Sequence, residues 1–277
     1  MKSVGHALLR FVLQLLSGTS NNQRIVLFGV RRSGNHALTN WLTNAVEKEQ
    51  SDLTPLGERP PLSHAFCSPS GKVIHLNELN ELDFRSTFKL FLHTRKKTRK
   101  CKVLLLSFED VRPSEYPNFR RLSGTEVHIR RNALEVISSR YHNLHRKANK
   151  GIGWSRQSCD VYFLDTLREF QRSSQSAKTL TWVYNRWLDS PEYRKSFLQK
   201  LDLSFDLIPH HSGVGGGSSF HGTSGRIESK LDTRLQKVEP QTHWVSFLTE
   251  LLKNHPDLFS DEERQTGQAF IEGAFKG

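Results

Sequence analysis

A glycine-bounded turn, GVRRSGNHA at residues 29–37, has the residue types and spacing of a loop that binds phosphate. Gly29 and Gly34 are separated by four residues, as in a P-loop between a strand and a helix. The backbone amides from Ser33 to His36 would converge on an anion, and two adjacent arginines add positive charge with fork geometry. The predicted anion-binding residues are Arg31, Arg32, Ser33, Gly34, Asn35, His36 and Ala37.

The same loop lacks the side chains that hold magnesium and ATP. The P-loop of an ATP-binding protein ends in Lys followed by Ser or Thr, whereas Asn35 and His36 occupy those positions here. Without a hydroxyl at the magnesium position, a kinase or NTPase is disfavoured, although it stays an alternative. A plain turn with a solvated arginine pair is a second alternative, because one glycine-bounded loop is a weak signal.

A second anion-binding element is predicted in RRNALEVISSRYHN, residues 130–143. Arg131 follows an apolar run, and Ser139 lies about two turns into the helical pattern that comes next. An arginine at a strand end, together with a serine on the following helix, would hold a second phosphate well away from the first.

The elements that position these residues can be read from apolar periodicity. Five apolar runs are predicted as strands: Ile25–Val30, Lys72–Leu76, Val103–Phe108, Glu126–Arg130 and Thr179–Tyr184. Helical patterns lie between them, which predicts a P-loop-like three-layer α/β fold, with a central parallel sheet of about five strands flanked by helices. No repeat or long linker divides the chain, so residues 1–277 are predicted to form one domain. Ligands of such sheets bind beyond the carboxyl ends of the strands.

Two helix starts are predicted from capping residues. Ser190 precedes Pro191, a good cap followed by a good first helical residue. Asn132 is followed three positions later by Glu135, which is the spacing of a capping box. Both helices would therefore begin directly after predicted strands or short turns.

Together, the two anion-binding elements resemble those of the sulfotransferases that use 3′-phosphoadenosine 5′-phosphosulfate (PAPS). In that family a strand-loop-helix with K/R-SG holds the 5′-phosphosulfate, and a second strand with an R-N…S element holds the 3′-phosphate. The resemblance implies that Arg32 takes the place of the loop lysine and that Arg131 and Ser139 hold the 3′-phosphate. The segment TLTWVYNRWLDSPEYRKSFLQKLDL is similar to the family's fifth strand and next helix, so the resemblance covers most of the chain.

A late glycine- and serine-rich loop extends the resemblance. GVGGGSSFHGTSGR, residues 213–226, stands where the family places a loop that closes over phosphate. The binding residues implied there are Gly216, Gly217, Ser218, Ser219 and Phe220. The family's Arg-Lys-Gly is absent, so Arg226 or Arg234 is expected to supply charge. Ala37 replaces the family's adenine-stacking aromatic, and Trp41, one turn later, is favoured as a core residue.

Sulfuryl transfer needs a base for the acceptor proton and cations for the leaving group. The family places a catalytic His or Glu at a strand end, and the resemblance implies Glu109, in LLLSFEDV, for this role, with Asp110 pointing elsewhere. A surface-turn carboxylate is an equally open reading of Glu109. Arg32 would stabilise the leaving group. The rival bases are His36, His75, His142 and His221. Because sulfuryl transfer does not need the metal clamp of phosphoryl transfer, no metal is expected.

The overall charge favours anionic ligands. The chain has a formal net charge of +12 and a pI near 9.8, and such a surface attracts nucleotides, acidic polymers or anionic membranes. HTRKKTRKCK, residues 93–102, contains no acid and is interpreted as a solvated loop. A nucleic-acid binder is a further alternative, but no recognisable RNA- or DNA-binding motif supports it, so no nucleic-acid partner is predicted.

Cysteine usage and the first residues bear on the compartment. Three widely spaced cysteines favour a reducing compartment over a disulfide framework. HALLRFVLQLL, residues 6–16, is interrupted by Arg10 and too short to span a bilayer, so it is predicted to be a helix packed on the domain. We therefore expect a cytoplasmic protein without a membrane span.

The acceptor is only broadly constrained. The resemblance implies a hydroxyl or amine of a small-molecule or carbohydrate acceptor, and the basic surface permits an acidic glycan. The short length, RRSGNHA and GGGSSF are similar to the family's small soluble bacterial branch, which sulfates natural products, including saxitoxin-like alkaloids. The sequence specifies neither the oligomeric state nor O- against N-sulfation.

Overall fold

The structure, a computed structural model, describes residues 22–115, 124–148, 160–172, 179–209 and 242–274. Within these ranges one sheet of seven strands has the order β2-β3-β4-β5-β1-β6-β7. The strands are β1 (Gln23–Gly29), β2 (Thr54–Pro55), β3 (Ala65–Cys67), β4 (Val73–Leu76), β5 (Val103–Glu109), β6 (Thr125–Arg130) and β7 (Thr179–Val183). Along the order β4-β5-β1-β6-β7 every neighbouring pair of strands is parallel. The pairs β2–β3 and β3–β4, at one edge of the sheet, are antiparallel.

Helices cover both faces of the sheet. They are α1 (Asn35–Glu47), α2 (Phe84–Thr98), α3 (Ala133–Ala148), α4 (Val161–Arg172), α5 (Tyr184–Asp189), α6 (Pro191–Gln199), α7 (Thr242–Asn254) and α8 (Asp261–Ala274). Helices α1, α5 and α6 bury their apolar side chains against one face of the sheet. Helices α2, α3, α4, α7 and α8 do so against the other, which confirms the predicted three-layer α/β fold.

Strand β1 shows why both faces are buried. Ile25 and Leu27 join the core on one side of the sheet, and Val26 and Phe28 join the core on the other. Successive side chains of a strand point to opposite faces, so a continuous apolar run fills both layers. All five predicted strands are confirmed. The prediction of about five strands missed only β2 and β3, which are too short to show an alternating pattern.

The basic run at residues 93–102 is a correction to the sequence prediction. It was interpreted as a solvated loop, but its first part lies in α2, which continues to Thr98. Asp83 caps α2 by accepting a hydrogen bond from the Ser86 N–H at 2.7 Å. Lys and Arg are good helix formers, and Thr94 and Thr98 are buried. One helical stripe therefore packs inward while the cations stay exposed.

The two capping predictions have different outcomes. Ser190 caps α6 as expected, because its Oγ accepts a hydrogen bond from the Tyr193 N–H at 3.0 Å. The helix predicted after Asn132 does begin at Ala133. Glu135, however, accepts a hydrogen bond from Arg131 Nε, four residues earlier, at 2.6 Å, and the Asn132 N–H donates to Asn185 Oδ1 at 3.4 Å. In the described ranges, no helix is both long and apolar enough to cross a membrane. Residues 6–16 lie outside these ranges.

Candidate active site

The candidate site lies where the sheet order changes direction around β1. The chain places β5 on one side of β1 and then crosses to β6 on the other side. In open α/β sheets, the carboxyl ends of strands at such a crossing form a crevice. Gly29 at the end of β1 is in register with Glu109 at the end of β5, so the predicted loop and the predicted base begin side by side.

The backbone of the loop is specialised for a tight turn. Arg32 and Gly34 both take left-handed conformations, with φ of 76° and 115°. A Cβ added at Gly34 would lie 2.5 Å from Tyr184 Cδ2, so only glycine fits this approach to α5. Left-handed residues alternating with right-handed ones turn successive N–H groups toward one concave side. The loop therefore supplies backbone donors at the start of α1, as an anion requires.

The polar side chains of the loop point inward, toward the predicted base. Ser33 Oγ donates to Asn35 Oδ1 at 3.2 Å, and Asn35 Nδ2 donates to Glu109 Oε1. A Cβ at Gly29 would lie 2.5 Å from Asn35 Oδ1, so the glycine makes room for this hydrogen-bonded chain. The side chains of Ser33 and Asn35 thus link the loop to Glu109. The Ser33 N–H donates to the Val30 carbonyl oxygen at 3.1 Å, so of the predicted backbone donors those of Gly34, Asn35 and His36 are the candidates for an anion.

Glu109 has the environment of a carboxyl with an altered proton affinity. It is 6% exposed, and burial raises its pKa from 4.5 to about 7. The hydrogen bond from Asn35 and the charge of Arg31 oppose this rise, whereas the charge of Glu78 adds to it. A carboxylate whose pKa is close to neutral can accept a proton during a reaction and release it afterwards.

The backbone of Glu109 is held by a residue that the sequence analysis did not select. Asn80 Oδ1 accepts a hydrogen bond from the Glu109 N–H at 3.1 Å, and Asn80 Nδ2 donates to the Glu109 carbonyl oxygen at 2.9 Å. Asn80 belongs to the turn after β4, the strand beside β5. Searching the residues after every strand, including HLNELNEL after β4, would have found it.

Arg31 lies among carboxylates rather than standing alone in the loop. Its Nη2 donates to Glu78 Oε1 at 3.0 Å and also to Glu81 Oε1, and its Nε donates to Glu109 Oε2 at 3.3 Å. Both Glu78 and Glu81 follow β4 and were not selected from the sequence. This arrangement makes Arg31 a residue that orients Glu109, besides its predicted role in binding an anion.

Asp110 ties three parts of the site together. It accepts a hydrogen bond from the Arg31 N–H at 2.9 Å, and both its carboxylate oxygens contact Arg140 Nη1, at 3.0 and 2.9 Å. Its own N–H donates to the Gly29 carbonyl oxygen at 3.0 Å. Asp110 was predicted to point elsewhere than Glu109; its backbone is left-handed, with a φ of 57°, and its Oδ2 lies 3.8 Å from Arg31 Nε, which also contacts Glu109. Asp110 therefore links the loop of residues 29–37 to α3.

The second predicted anion element contacts the first. Arg131 Nε donates to Glu135 Oε2 at 2.6 Å, and Nη1 donates to the Arg32 carbonyl oxygen at 2.9 Å. The guanidinium also lies over the Tyr184 ring, 4.4 Å from its centroid. The second phosphate was predicted well away from the first; Arg131 itself lies against the first loop. Ser139, two turns into α3, is buried at 4% exposure.

Among the histidines that the structure describes, His36 is exposed and belongs to the candidate loop itself. It is exposed, yet enough protein surrounds it for desolvation to lower its pKa, with Arg32 adding to the effect. His75 is buried, its Nε2 lies 2.6 Å from Ser107 Oγ, and desolvation lowers its pKa to about 3. His75 is therefore a neutral core residue and a poor base.

The remaining predicted residues divide between the core and undescribed parts of the chain. Trp41 is fully buried and donates from Nε1 to Asp206 Oδ1 at 2.9 Å, which confirms its assignment to the core. Ala37 is half-buried beside it. The remaining ones lie outside the described residues, or have undescribed side chains: His142, Gly216, Gly217, Ser218, Ser219, Phe220, His221, Arg226 and Arg234.

The acidic residues near Arg31 do not form a metal site in the described part of the chain. No group of three or more His, Cys, Asp or Glu residues is arranged there to hold a metal ion. The guanidinium of Arg31 instead lies between Glu78 and Glu109. The donors facing the loop, backbone N–H groups at a helix start and arginine side chains, suit an anion.

Comparisons with known proteins give a distant likeness. No family model matches the chain, and no curated protein matches it. Among solved structures, it is similar to the mouse sulfotransferase SULT7A1 complexed with PAP, at 14% sequence identity and a TM-score of 0.48. The similarity covers 93% of this chain and 93% of that chain. At this distance the likeness does not carry a functional argument, which must come from the site itself.

Proposed function

We propose that this protein is a sulfotransferase that moves the sulfuryl group of PAPS to a hydroxyl or amine. The observation that carries the proposal is the meeting of three elements at one sheet edge. The phosphate loop after β1 contacts Arg131 through the Arg32 carbonyl, and it contacts Glu109 through Asn35. Two anion-binding elements and a carboxyl with a pKa near 7 are thus joined by direct hydrogen bonds.

Each element has a distinct role in the proposed reaction. The backbone N–H groups of residues 34–36 and the side chain of Arg32 bind the 5′-phosphosulfate. Arg131 and Ser139 bind the 3′-phosphate; a guanidinium has five N–H donors, more than the two contacts described above use. Residues 216–220 are proposed to close over the nucleotide.

The proposed transfer is a single in-line displacement. The acceptor oxygen or nitrogen forms a bond to sulfur while the bond from sulfur to the bridging phosphate oxygen breaks. Glu109 takes the acceptor proton, and the negative charge left on the phosphate is stabilised by Arg32 and by the loop amides. The products are the sulfated acceptor and 3′,5′-bisphosphoadenosine.

Nucleotide binding tests the proposal against the alternatives. We expect 3′,5′-bisphosphoadenosine to bind in calorimetry with the same affinity in magnesium and in EDTA, since the loop offers no hydroxyl for a metal. A kinase or NTPase would instead bind ATP only with magnesium. Failure of the bisphosphate to bind in either buffer would refute the sulfotransferase assignment.

Asn35→Ala is expected to change the pH dependence of the reaction. The Asn35 hydrogen bond lowers the pKa of Glu109, so its removal raises that pKa further above about 7. Because a base must be ionised, the rise of kcat/KM with pH should move upward by roughly one pH unit. Thr39→Ala, which removes a hydroxyl bonded to the Asn35 carbonyl but not to Glu109, is the matched control. An unshifted pH profile would mean that the Asn35 hydrogen bond does not control the ionisation of the base.

Ser139→Ala is expected to raise KM for PAPS by roughly 10- to 100-fold, the effect of one hydrogen bond to a charged group, with little change in kcat. A contact to the remote 3′-phosphate is shared by the ground and transition states. Ser138→Ala is the matched control, because this neighbouring buried hydroxyl has no hydrogen-bond partner among the described residues. Adenosine 5′-phosphosulfate, which lacks the 3′-phosphate, should bind both variants as it binds the wild type. If Ser139→Ala weakens the binding of this ligand as much as it weakens that of PAPS, the assignment is contradicted.

The acceptor is proposed to be a neutral or cationic small molecule rather than an acidic glycan. Four carboxyl groups surround Arg31, namely Glu78, Glu81, Glu109 and Asp110. Arg140 is the second cation there, so acids outnumber cations beside the base. An anionic acceptor would be repelled at this point. Faster turnover of an anionic than of a neutral acceptor of the same skeleton would contradict this.

The cytoplasmic location stays a prediction. Cys67 and Cys101 are free thiols, as expected in a reducing compartment. Cell fractionation would test this, and recovery from an oxidising compartment would contradict it. The natural-product class of the acceptor also stays a prediction and would be tested by sulfation of such compounds.

A further inference from the structure

The outward side of α2 combines exposed apolar and basic side chains. Phe88 and Leu92 are each 43% exposed, and they are two of the four large apolar side chains that are exposed in the described ranges. They stand four residues apart, so they are neighbours on the helix surface. An exposed apolar pair at adjacent helical positions needs an explanation that a single exposed side chain would not.

Cations surround this apolar pair. At 3.6 residues per turn, five basic residues of α2 fall within the same sector of roughly 120° as Phe88 and Leu92. These residues, all exposed, are Arg85, Lys89, Arg95, Lys96 and the C-cap residue Arg99. We call the seven side chains the α2 basic face. The opposite side of the helix carries the buried Leu90 and Thr94.

The positive charge of this face is weakly compensated. Residues 93–102 contain no acid. Within the described ranges, Arg95, Lys96 and Arg99 form no salt bridge with a carboxylate. At the other end of α2, hydrogen bonds from Ser86 lower the pKa of Asp83, and the nearby charges of Arg85 and Lys89 lower it further. The C-terminal half of the face therefore presents uncompensated cations beside Leu92.

The basic end of α2 lies at the sheet edge opposite the candidate active site. Helix α2 leads toward Val103, the start of β5, whereas Glu109 ends that strand. The chain enters the described structure at the same place, because Asn22 Nδ2 donates to the Thr98 carbonyl oxygen at 2.8 Å. Residues 1–21, which precede this contact, include HALLRFVLQLL, Lys2 and Arg10 but no acid. The sequence that leads into Asn22 is therefore apolar and basic.

We propose that the α2 basic face docks on an anionic lipid surface. Lys and Arg are attracted to acidic headgroups, and Phe and Leu at the centre of the sector enter the boundary between headgroups and acyl chains. An acidic polymer, such as a glycan or a nucleic acid, would match the cations but would leave Phe88 and Leu92 unexplained. The catalytic edge, at the other end of the strands, stays open to dissolved substrates.

Vesicle flotation with the full chain tests this proposal. We expect binding to vesicles of phosphatidylcholine with phosphatidylserine, weaker binding at high salt, and little binding to phosphatidylcholine alone. Arg95→Gln with Lys96→Gln should weaken binding by about 25-fold, since each cation near an anionic membrane contributes roughly fivefold. Lys195→Gln with Lys253→Gln removes the same charge from exposed positions of α6 and α7 and should have little effect.

The apolar pair separates lipid docking from general attraction to polyanions. Phe88→Ser with Leu92→Ser should weaken vesicle binding by at least about fivefold while leaving retention on heparin unchanged. Val161→Ser, at an apolar position of α4 that is 71% exposed, is the matched control and should bind like the wild type. The proposal is overturned if the wild type does not bind the anionic vesicles. It is also overturned if the serine variant binds them as well as the wild type does, because the face would then attract polyanions only.

Discussion

Glu109→Gln is expected to lower kcat by roughly 10²- to 10⁴-fold, the usual contribution of a positioned general base. Glutamine keeps the shape of the side chain and can still accept the Asn35 hydrogen bond, but it cannot take a proton. Nucleotide affinity should stay close to that of the wild type, because Glu109 accepts hydrogen bonds from the side chains of Asn35 and Arg31, whereas backbone N–H groups and Arg32 are proposed to hold the phosphosulfate. Steady-state kinetics and calorimetry measure the two quantities separately.

The stability of this variant provides an internal control. The pKa of Glu109 is raised in the folded state, so the carboxyl stabilises the fold most below pH 4.5, and this contribution is lost as the pH rises to about 7. The glutamine variant lacks this titration. Its free energy of unfolding should therefore fall less than that of the wild type between these pH values. A melting series across this range would show whether lost activity reflects lost folding.

The choice of acceptor sharpens the interpretation. An alcohol acceptor must lose its proton during attack, so it should show the larger loss, whereas a neutral amine attacks before deprotonation. Near-normal turnover of an alcohol by Glu109→Gln would remove this residue from the mechanism, and His36 would be tested next. A loss of nucleotide affinity instead would mean that the carboxylate mainly orients Arg31.

Arg131→Ala is expected to destabilise the fold by roughly 3–5 kcal/mol, the effect of leaving a buried partner charge uncompensated. Arg131 and Glu135 are both buried, and the guanidinium also supports the Arg32 carbonyl and packs on Tyr184. Nucleotide affinity should fall as well, through the lost 3′-phosphate contact and through the unsupported loop. Denaturant unfolding and calorimetry at low temperature measure these effects.

Two further variants identify the cause of the Arg131 effect. Arg130→Ala removes the same charge one residue earlier, at a half-buried side chain bonded to Gln171 Oε1 at 2.7 Å, and should have a much smaller effect. Combining Arg131→Ala with Glu135→Leu should recover part of the lost stability, because no unpaired carboxylate remains. If Arg131→Ala destabilises no more than Arg130→Ala does, the buried ion pair does not link the two elements.

The sequence alone determined the features that depend on neighbouring residues in the chain. The continuous apolar run of residues 25–28 specified a strand buried on both faces, and Ser190 with Pro191 specified a helix start. The strand-turn-helix geometry of the two elements predicted to bind anions was also recognisable, because each is a continuous segment. In such segments the backbone geometry follows from local periodicity and turn chemistry.

The tertiary structure decided which side chains meet. Glu78 and Asn80 come near Glu109 only because β4 pairs with β5, and Asn35 reaches Glu109 only because β5 pairs with β1. Whether Arg31 binds an anion, a carboxylate or both depends on these contacts, and so does the pKa of Glu109. Strand order is set by the packing of distant segments around one core. No local pattern in a single sequence encodes it, which is why the loop was predictable and its partners were not.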